Sequence, residues 1–267
     1  MSGSAVPPRR ERDLYPRRVD EEAPTWRTTW RAAFLDRDSF LPVLLLAIGS
    51  MLAFPFADTF RGGTVVIYPF TAGLLLLGLH RSRVKPRTFR LAVLALIAVA
   101  VCTGISTLVR ALTDIEDDRL VALDMLLYAV LYAIAFPAIV RRAFQHRRVS
   151  YNTLAAAISA YIVLGLWFAV IYRGIATATD AEFFRDVARP EAGEFVYYSF
   201  ITLTTVGYGD FVPLTDAGRS IAVAEAVAGQ VYLVTAVARI VSLYGSERDE
   251  PSRPPTRDFA HDEADPD

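Results

Sequence analysis

The run Thr204-Thr205-Val206-Gly207-Tyr208-Gly209-Asp210 places two threonines before a pair of glycines that flank a tyrosine. Its side chains contain no nucleophile paired with a base, so the chemistry on offer lies in the backbone. L-residues in one uniform conformation cannot turn successive carbonyls the same way. Alternating backbone handedness can, and Gly207 and Gly209 supply the positive-φ positions without steric penalty. The product would be a column of oxygens able to replace the water shell of a cation. A glycine-rich turn closing an apolar helix is the plain alternative, but such a turn needs neither the central tyrosine nor the preceding threonines.

Such a column needs elements to hold it. Apolar residues make up 53% of the chain and cluster in long uncharged blocks, which excludes an ordinary soluble domain. Roughly 20 apolar residues are needed to cross the hydrocarbon as a helix. Six stretches qualify as spans: Phe40 to Ala57, Thr64 to Leu79, Phe89 to Val109, Leu120 to Val140, Tyr151 to Tyr172 and Ala217 to Tyr244. The second is short and carries Pro69 and Gly73, both tolerated in membrane helices. The first residues lack an apolar core with a small-residue cleavage site, so the first span is expected to be retained. Cys102 sits in an apolar run and reads as a small apolar residue.

Lys plus Arg (28) nearly balances Asp plus Glu (29), so charge informs by placement. Arginines crowd the arm before the first span. They recur with Lys85 at Arg81, Arg83, Arg87 and Arg90, and again at Arg141, Arg142, Arg147 and Arg148. The intervening loops are poor in them: Arg61 stands nearly alone, and Asp114, Glu116, Asp117 and Asp118 outnumber Arg110 and Arg119. Positive residues stay on the cytoplasmic side, so both termini are expected there. Between the last two spans, Arg173 to Thr215 contains the apolar run Phe195 to Leu203, too short to cross. It reads as a re-entrant half-helix, permitted at membrane depth where protein or a water-filled cavity covers the backbone that follows.

In this helix–loop–helix setting the TTVGYGD run resembles the signature of the potassium-channel family. The resemblance implies a selectivity filter in which the carbonyls of Thr205, Val206, Gly207 and Tyr208, with the Thr205 hydroxyl beneath them, hold permeant K+, and Gly209 completes the ion-binding set. Val206 and Tyr208 would turn their side chains outward as packing. One chain supplies one strand of the ring, so a homotetramer follows. The half-helix from Glu194 to Thr204 would direct its partial negative end at the cavity. Gly218-Arg219, followed by Ala228-Gly229 within the sixth span, is similar to the inner helix of these channels. Departures are visible too. Ile201 stands where some members carry a glutamate behind the filter, and Tyr197 and Tyr198 stand where many have two tryptophans. Tyr198 is expected to offer its hydroxyl to Asp210 and, with Thr204, to brace the filter.

On the sixth span, Gln230, Leu233, Val237 and Val241 fall on one helical face and are the expected lining of the cavity and inner mouth. Gly229 has two readings, a gating hinge or a site of close helix packing. Glu225 is an ionisable residue inside a span, one turn before Gly229. It is expected to support the filter from behind, through a hydroxyl such as Thr202 or Thr204, without touching ions in transit.

A voltage sensor requires several arginines within the membrane, since each charge moved gains only about 2.3 kcal/mol per 100 mV. Leu120 to Val140 holds Asp124 alone among charged residues, so steep voltage gating is not expected. The fold class expected is an all-α integral membrane protein of six transmembrane helices plus a re-entrant pore half-helix and filter. Its parts are a basic cytosolic arm (1–38), a four-helix module (39–149), a pore module (150–245) and a disorder-like cytosolic tail (246–267). In the arm, Trp26, Trp30 and Phe34 read either as an interfacial amphipathic helix or as a cytosolic extension of the first span. The partners expected are the bilayer, K+ and three further copies, with no nucleic acid, cofactor, nucleotide or calcium site and no enzymatic activity. Two competing classes are a non-selective cation channel and a non-conducting membrane sensor or scaffold.

Overall fold

A computed structural model of the chain describes residues 39–56, 63–113, 118–145, 150–179 and 182–248. Seven α-helices follow in order: α1 Leu41–Ala53, α2 Gly63–Arg81, α3 Pro86–Thr113, α4 Asp118–Gln145, α5 Tyr151–Ala178, α6 Ala192–Leu203 and α7 Asp216–Arg248. Among the described residues there is no strand, only isolated bridges from Phe184 to Val187 and to Pro213. The basic arm with Trp26, Trp30 and Phe34, the tail beyond residue 248, and Arg61, Asp114, Glu116, Asp117, Arg147 and Arg148 lie outside the described residues.

Four of the helices contain segments long and apolar enough to cross a membrane: Pro86–Ser106, Val121–Gln145, Tyr151–Ala178 and Asp216–Ser242. The protein is therefore a multi-pass membrane protein whose regular elements, among the described residues, are all helical. The first apolar stretch is shorter as an α-helix than its composition promised. α1 has 13 residues and passes into a 3-10 turn over Phe54–Phe56. Phe54 keeps α-region dihedrals, and Pro55 after it has no backbone N–H to extend the α-helical hydrogen bonding. Pro69, by contrast, lies within α2 without ending it.

α5 is the buried axis of the molecule. Ala155, Ala156, Val163, Leu166, Ala169 and Tyr172 are all enclosed, and its most extensive contact is with α4. It begins at Ser150, whose side chain accepts from the Thr153 amide and satisfies one orphan donor of the first turn. α2 lies close against α1 and α4. A Cβ at Gly78 would meet Ile139 at 3.0 Å and Val43 at 3.8 Å, so the small residue permits the approach. Arg81 at the end of α2 donates to the Ser39 carbonyl at the start of α1. α3 and α4 share a buried polar contact in which the Thr103 hydroxyl donates to Asp124.

Two caps set the helices that flank the central loop. Glu194 in the first turn of α6 reaches back to accept from the Glu191 amide at 2.8 Å, half of a capping box. The Thr215 hydroxyl accepts from the Gly218 amide at 3.1 Å and starts α7. Between them the segments before and after the loop are sewn together, with Arg185 N–H donating to the Val212 carbonyl and Leu214 N–H to that of Phe183.

Candidate ion-conducting site

α6 delivers the chain into Thr204–Asp210 and controls the first turn of it. The amides of Thr205, Val206 and Gly207 all point back to α6: Thr205 N–H donates to the Thr202 carbonyl at 2.9 Å, and those of Val206 and Gly207 to the Ile201 carbonyl at 2.9 and 3.0 Å. These bonds satisfy carbonyls that a helix end otherwise leaves orphaned. With successive N–H groups turned to one side, the carbonyls are free to turn to the other.

The backbone alternates in hand to make this possible. Gly207 and Gly209 have φ of 51° and 79°, and Thr205 has φ of 59°. Val206 and Tyr208 between them do not enter the positive region. The glycine positions could be anticipated from the sequence, but Thr205 could not. A β-branched residue with positive φ is a rare and strained state. The Val206 and Tyr208 side chains are exposed on the single chain. Thr204 is held locally, its hydroxyl donating to the Phe200 carbonyl at 2.6 Å.

The brace on Asp210 corrects an expectation. The phenol that donates to Asp210 Oδ2 is that of Tyr197, at 2.7 Å, and not that of Tyr198. Adjacent residues on a helix point about 100° apart. Tyr197 faces the loop and Tyr198 turns inward, where its ring meets Tyr172 and Phe184 edge-on at 5.0 Å each. Asp210 Oδ1 accepts from the Phe211 amide at 3.1 Å. The bond to Asp210 pushes the Tyr197 phenol up to about 12, so it remains a donor throughout the neutral range.

Behind the loop, Glu225 of α7 is fully buried. Tyr172 of α5 donates to its Oε2 at 2.6 Å, and Ser199 of α6 lies 2.5 Å from its Oε1. The expected contact with the back of the short helix is present, but Ser199 is the partner in place of a threonine. Ser199 Oγ also lies 2.7 Å from the Gly165 carbonyl. A hydroxyl has one hydrogen and two acceptors are in reach, so both contacts are met together when the Glu225 carboxyl carries a proton and donates to Ser199. Ser199 and Tyr172 escaped the sequence reading. The available signal was the carboxyl's demand for donors, which any hydroxyl at the same depth could meet.

Gly229 is where α7 meets the end of α6. A Cβ there would lie 2.5 Å from the Leu203 carbonyl oxygen, and α7 runs unbroken through the position. Close packing accounts for the glycine. The same Leu203 carbonyl accepts from the Tyr161 hydroxyl at 3.2 Å. Tyr161 stacks on Tyr232 at 5.8 Å, and Tyr232 donates to the Ala157 carbonyl at 2.6 Å, which ties α7 to α5. Of the expected lining residues, Gln230, Leu233, Val237 and Val241 are all exposed on the single chain. Gln230 does more than line a surface, because its Nε2 donates to Thr205 Oγ1 at 3.3 Å.

Residues 160–245, which contain most of α5 and all of α6, the loop and most of α7, match the family model described as ion channel. The chain is similar to potassium voltage-gated channel subfamily A member 10 of Mus musculus, 32% identical over 84 residues, which is 30% of this chain and 16% of the relative. It is also similar to the Shaker-related potassium channel tsha2 of Oncorhynchus mykiss, 32% identical over 108 residues, 37% of this chain and 22% of the relative. Potassium voltage-gated channel subfamily A member 2 of Xenopus laevis is 33% identical over 84 residues, 30% of this chain and 17% of the relative. The chain thus spans less than a quarter of the length of these curated relatives. No solved structure matches. The matching family model is described as an ion channel and the relatives are named as potassium channels, and the likeness is confined to the segment that runs from α5 through the loop to α7.

Proposed function

We propose that the chain is the subunit of a potassium-selective channel and that four copies conduct K+ passively through a ring of Thr205–Gly209 strands. The observation that carries this reading is the alternation of backbone hand at Thr205, Gly207 and Gly209, with the intervening amides bonded to α6. It leaves a row of carbonyls as the one surface such a strand can offer to an ion. Assembly is supported by the apolar faces that a single chain leaves open. Val206 and Tyr208 are exposed, and Val223, Val227, Val231, Val234 and Val241 form an exposed stripe along α7.

In this reading all six apolar stretches of the sequence span the bilayer, α6 is re-entrant, and both termini are cytoplasmic. Residues 39–149 form a four-helix module and 150–245 the pore module. Glu225, Thr204 and Asp210 support the filter, while Gln230, Leu233, Val237 and Val241 line the cavity. Open probability changes only shallowly with voltage, because Asp124 is the one charged residue between Leu120 and Val140.

The test is K+ flux into liposomes carrying the purified full chain, with Na+ as competitor, followed by recordings across a wide voltage range. Selective K+ flux with shallow voltage dependence is the expected result. Equal K+ and Na+ permeation would replace the reading with a non-selective pore, and no flux with a sensor or scaffold. A steep response of several gating charges would overturn the voltage statement alone.

A further inference from the structure

We infer that Gln230 is a specificity-determining residue of this pore, holding the Thr205 hydroxyl in place and thereby setting the innermost oxygen layer that a dehydrated cation meets. The inference rests on the filter reading given above and adds to it a device built from α7.

Thr205 is the one residue in the loop whose conformation its side chain opposes. It is β-branched, so its χ1 is stiff, and its φ of 59° lies where such residues are rarely found. A strained state of this kind persists when the surroundings over-determine it. Its amide is tethered to the Thr202 carbonyl, which fixes the backbone on one side. The hydrogen bond described for its hydroxyl comes from Gln230, whereas the neighbouring Thr204 hydroxyl closes locally on Phe200 and needs nothing from α7.

The packing of α7 makes the reach possible. Gly229 lets the helix approach until a Cβ would stand 2.5 Å from the Leu203 carbonyl, and Gln230 is the next residue. Any larger residue at 229 would push α7 off and carry the carboxamide away from Thr205. The chemistry of the bond also suits an ion site. A hydroxyl oxygen has two lone pairs, so accepting from the Gln230 amide leaves the other for a cation while restricting rotation about Cα–Cβ. Ba2+ reports on such a layer with sensitivity, being close to K+ in size with twice the charge.

The experiment uses the full chain in liposomes and reads the Na+/K+ permeability ratio and the Ba2+ concentration that halves K+ efflux. Gln230→Leu keeps the bulk without a donor, and Gln230→Asn keeps the carboxamide one methylene short. Each is made alone and on a Thr205→Ala background, and the melting of the assembled protein is followed in parallel. Both single variants should shift the Ba2+ half-block by about fivefold to tenfold in the same direction, as loss of one hydrogen bond implies. Neither should add to the shift once Thr205 is alanine. An Asn variant that behaves as wild type would overturn the inference, since cavity polarity would then suffice. A Leu shift undiminished on Thr205→Ala would overturn it as well, as would lowered melting with unchanged block. A wild-type chain that passes K+ and Na+ alike would remove the filter reading itself, a distinct outcome visible before any variant is made.

Discussion

In the helices from 150 to 248, the buried Glu225 carboxyl has Tyr172 on one oxygen and Ser199 on the other. In the helices from 39 to 145, the Thr71 and Tyr132 hydroxyls face each other without good hydrogen-bond geometry, that of Ser50 is buried without a well-formed bond, and Asp124 holds Thr103 on one oxygen with the Arg173 charge nearby. The two regions share a preference for close helix packing, yet they pair their buried polar groups to different degrees. A paired polar network fixes groups in direction as well as distance, which an oxygen column requires. Apolar packing fixes them less sharply. The match to known channels follows the same division, since it starts at residue 160.

The largest effect expected comes from the loop. Gly207→Ala or Gly209→Ala places a methyl group on a backbone with φ of 51° or 79°, a strain of roughly 1–2 kcal/mol in each of four strands that also misdirects a carbonyl. Bi-ionic reversal potentials should register complete loss of K+ selectivity. Selectivity unchanged in either variant would break the comparison at its stronger end.

Next in size is the Glu225 network. Glu225→Ala leaves the buried Tyr172 hydroxyl without its partner, at about 1–3 kcal/mol, and Ser199 with the Gly165 carbonyl alone, and should weaken assembly or filter conduction. Glu225→Gln is neutral, keeps the shape and can donate to Ser199, so much of the flux should survive. The comparison fails here if Gln alone lowers single-channel conductance while Ala leaves assembly intact, since the charge would then serve permeation.

A smaller effect separates the two tyrosines. Tyr197→Phe removes the brace on Asp210 and should hasten decline of current during sustained opening. Tyr198→Phe keeps the ring that packs on Tyr172 and Phe184 and should leave that decline nearly unchanged. Single-channel records of the two variants side by side check the order, and its reversal would restore the sequence expectation.

The smallest effect belongs to the first region. Thr71→Val or Tyr132→Phe removes one of two buried hydroxyls that face each other without good hydrogen-bond geometry, so stability should stay within about 1 kcal/mol of wild type. Thermal melting in detergent reads this directly. A loss above about 2 kcal/mol would mean that these hydroxyls are paired after all, and the contrast between the regions would shrink.

What could be read in advance follows local physics. Each apolar stretch became a helix, and the two glycines of the loop took the conformations that only glycine adopts freely. The failures are of rotation and reach. Tyr197 and Tyr198 are equivalent in composition, and only the azimuth of α6 decides which one faces Asp210. Ser199 and Tyr172 lie 26 and 53 residues from Glu225, distances over which spacing carries no signal. Thr205 has positive φ against its own preference, with its amide bonded to Thr202 and its hydroxyl to Gln230, contacts that spacing does not announce. Gly229 left two readings standing, and the nearness of the Leu203 carbonyl accounts for it by packing.

The same nearness has a mechanical consequence. α7 is pinned at Gly229 by the end of α6, just above it by Glu225 and just below it by Tyr232 on the Ala157 carbonyl, while Val231, Val234, Val237 and Val241 are exposed. From Tyr232 to Arg248 the helix continues without interruption. At 1.5 Å per residue that is an arm of about 24 Å, so a tilt of about 10° at the pinned level would sweep its far end through about 4 Å. The pinned stretch of the helix would thus serve as a fulcrum, so that its far end could travel without disturbing the loop beside it.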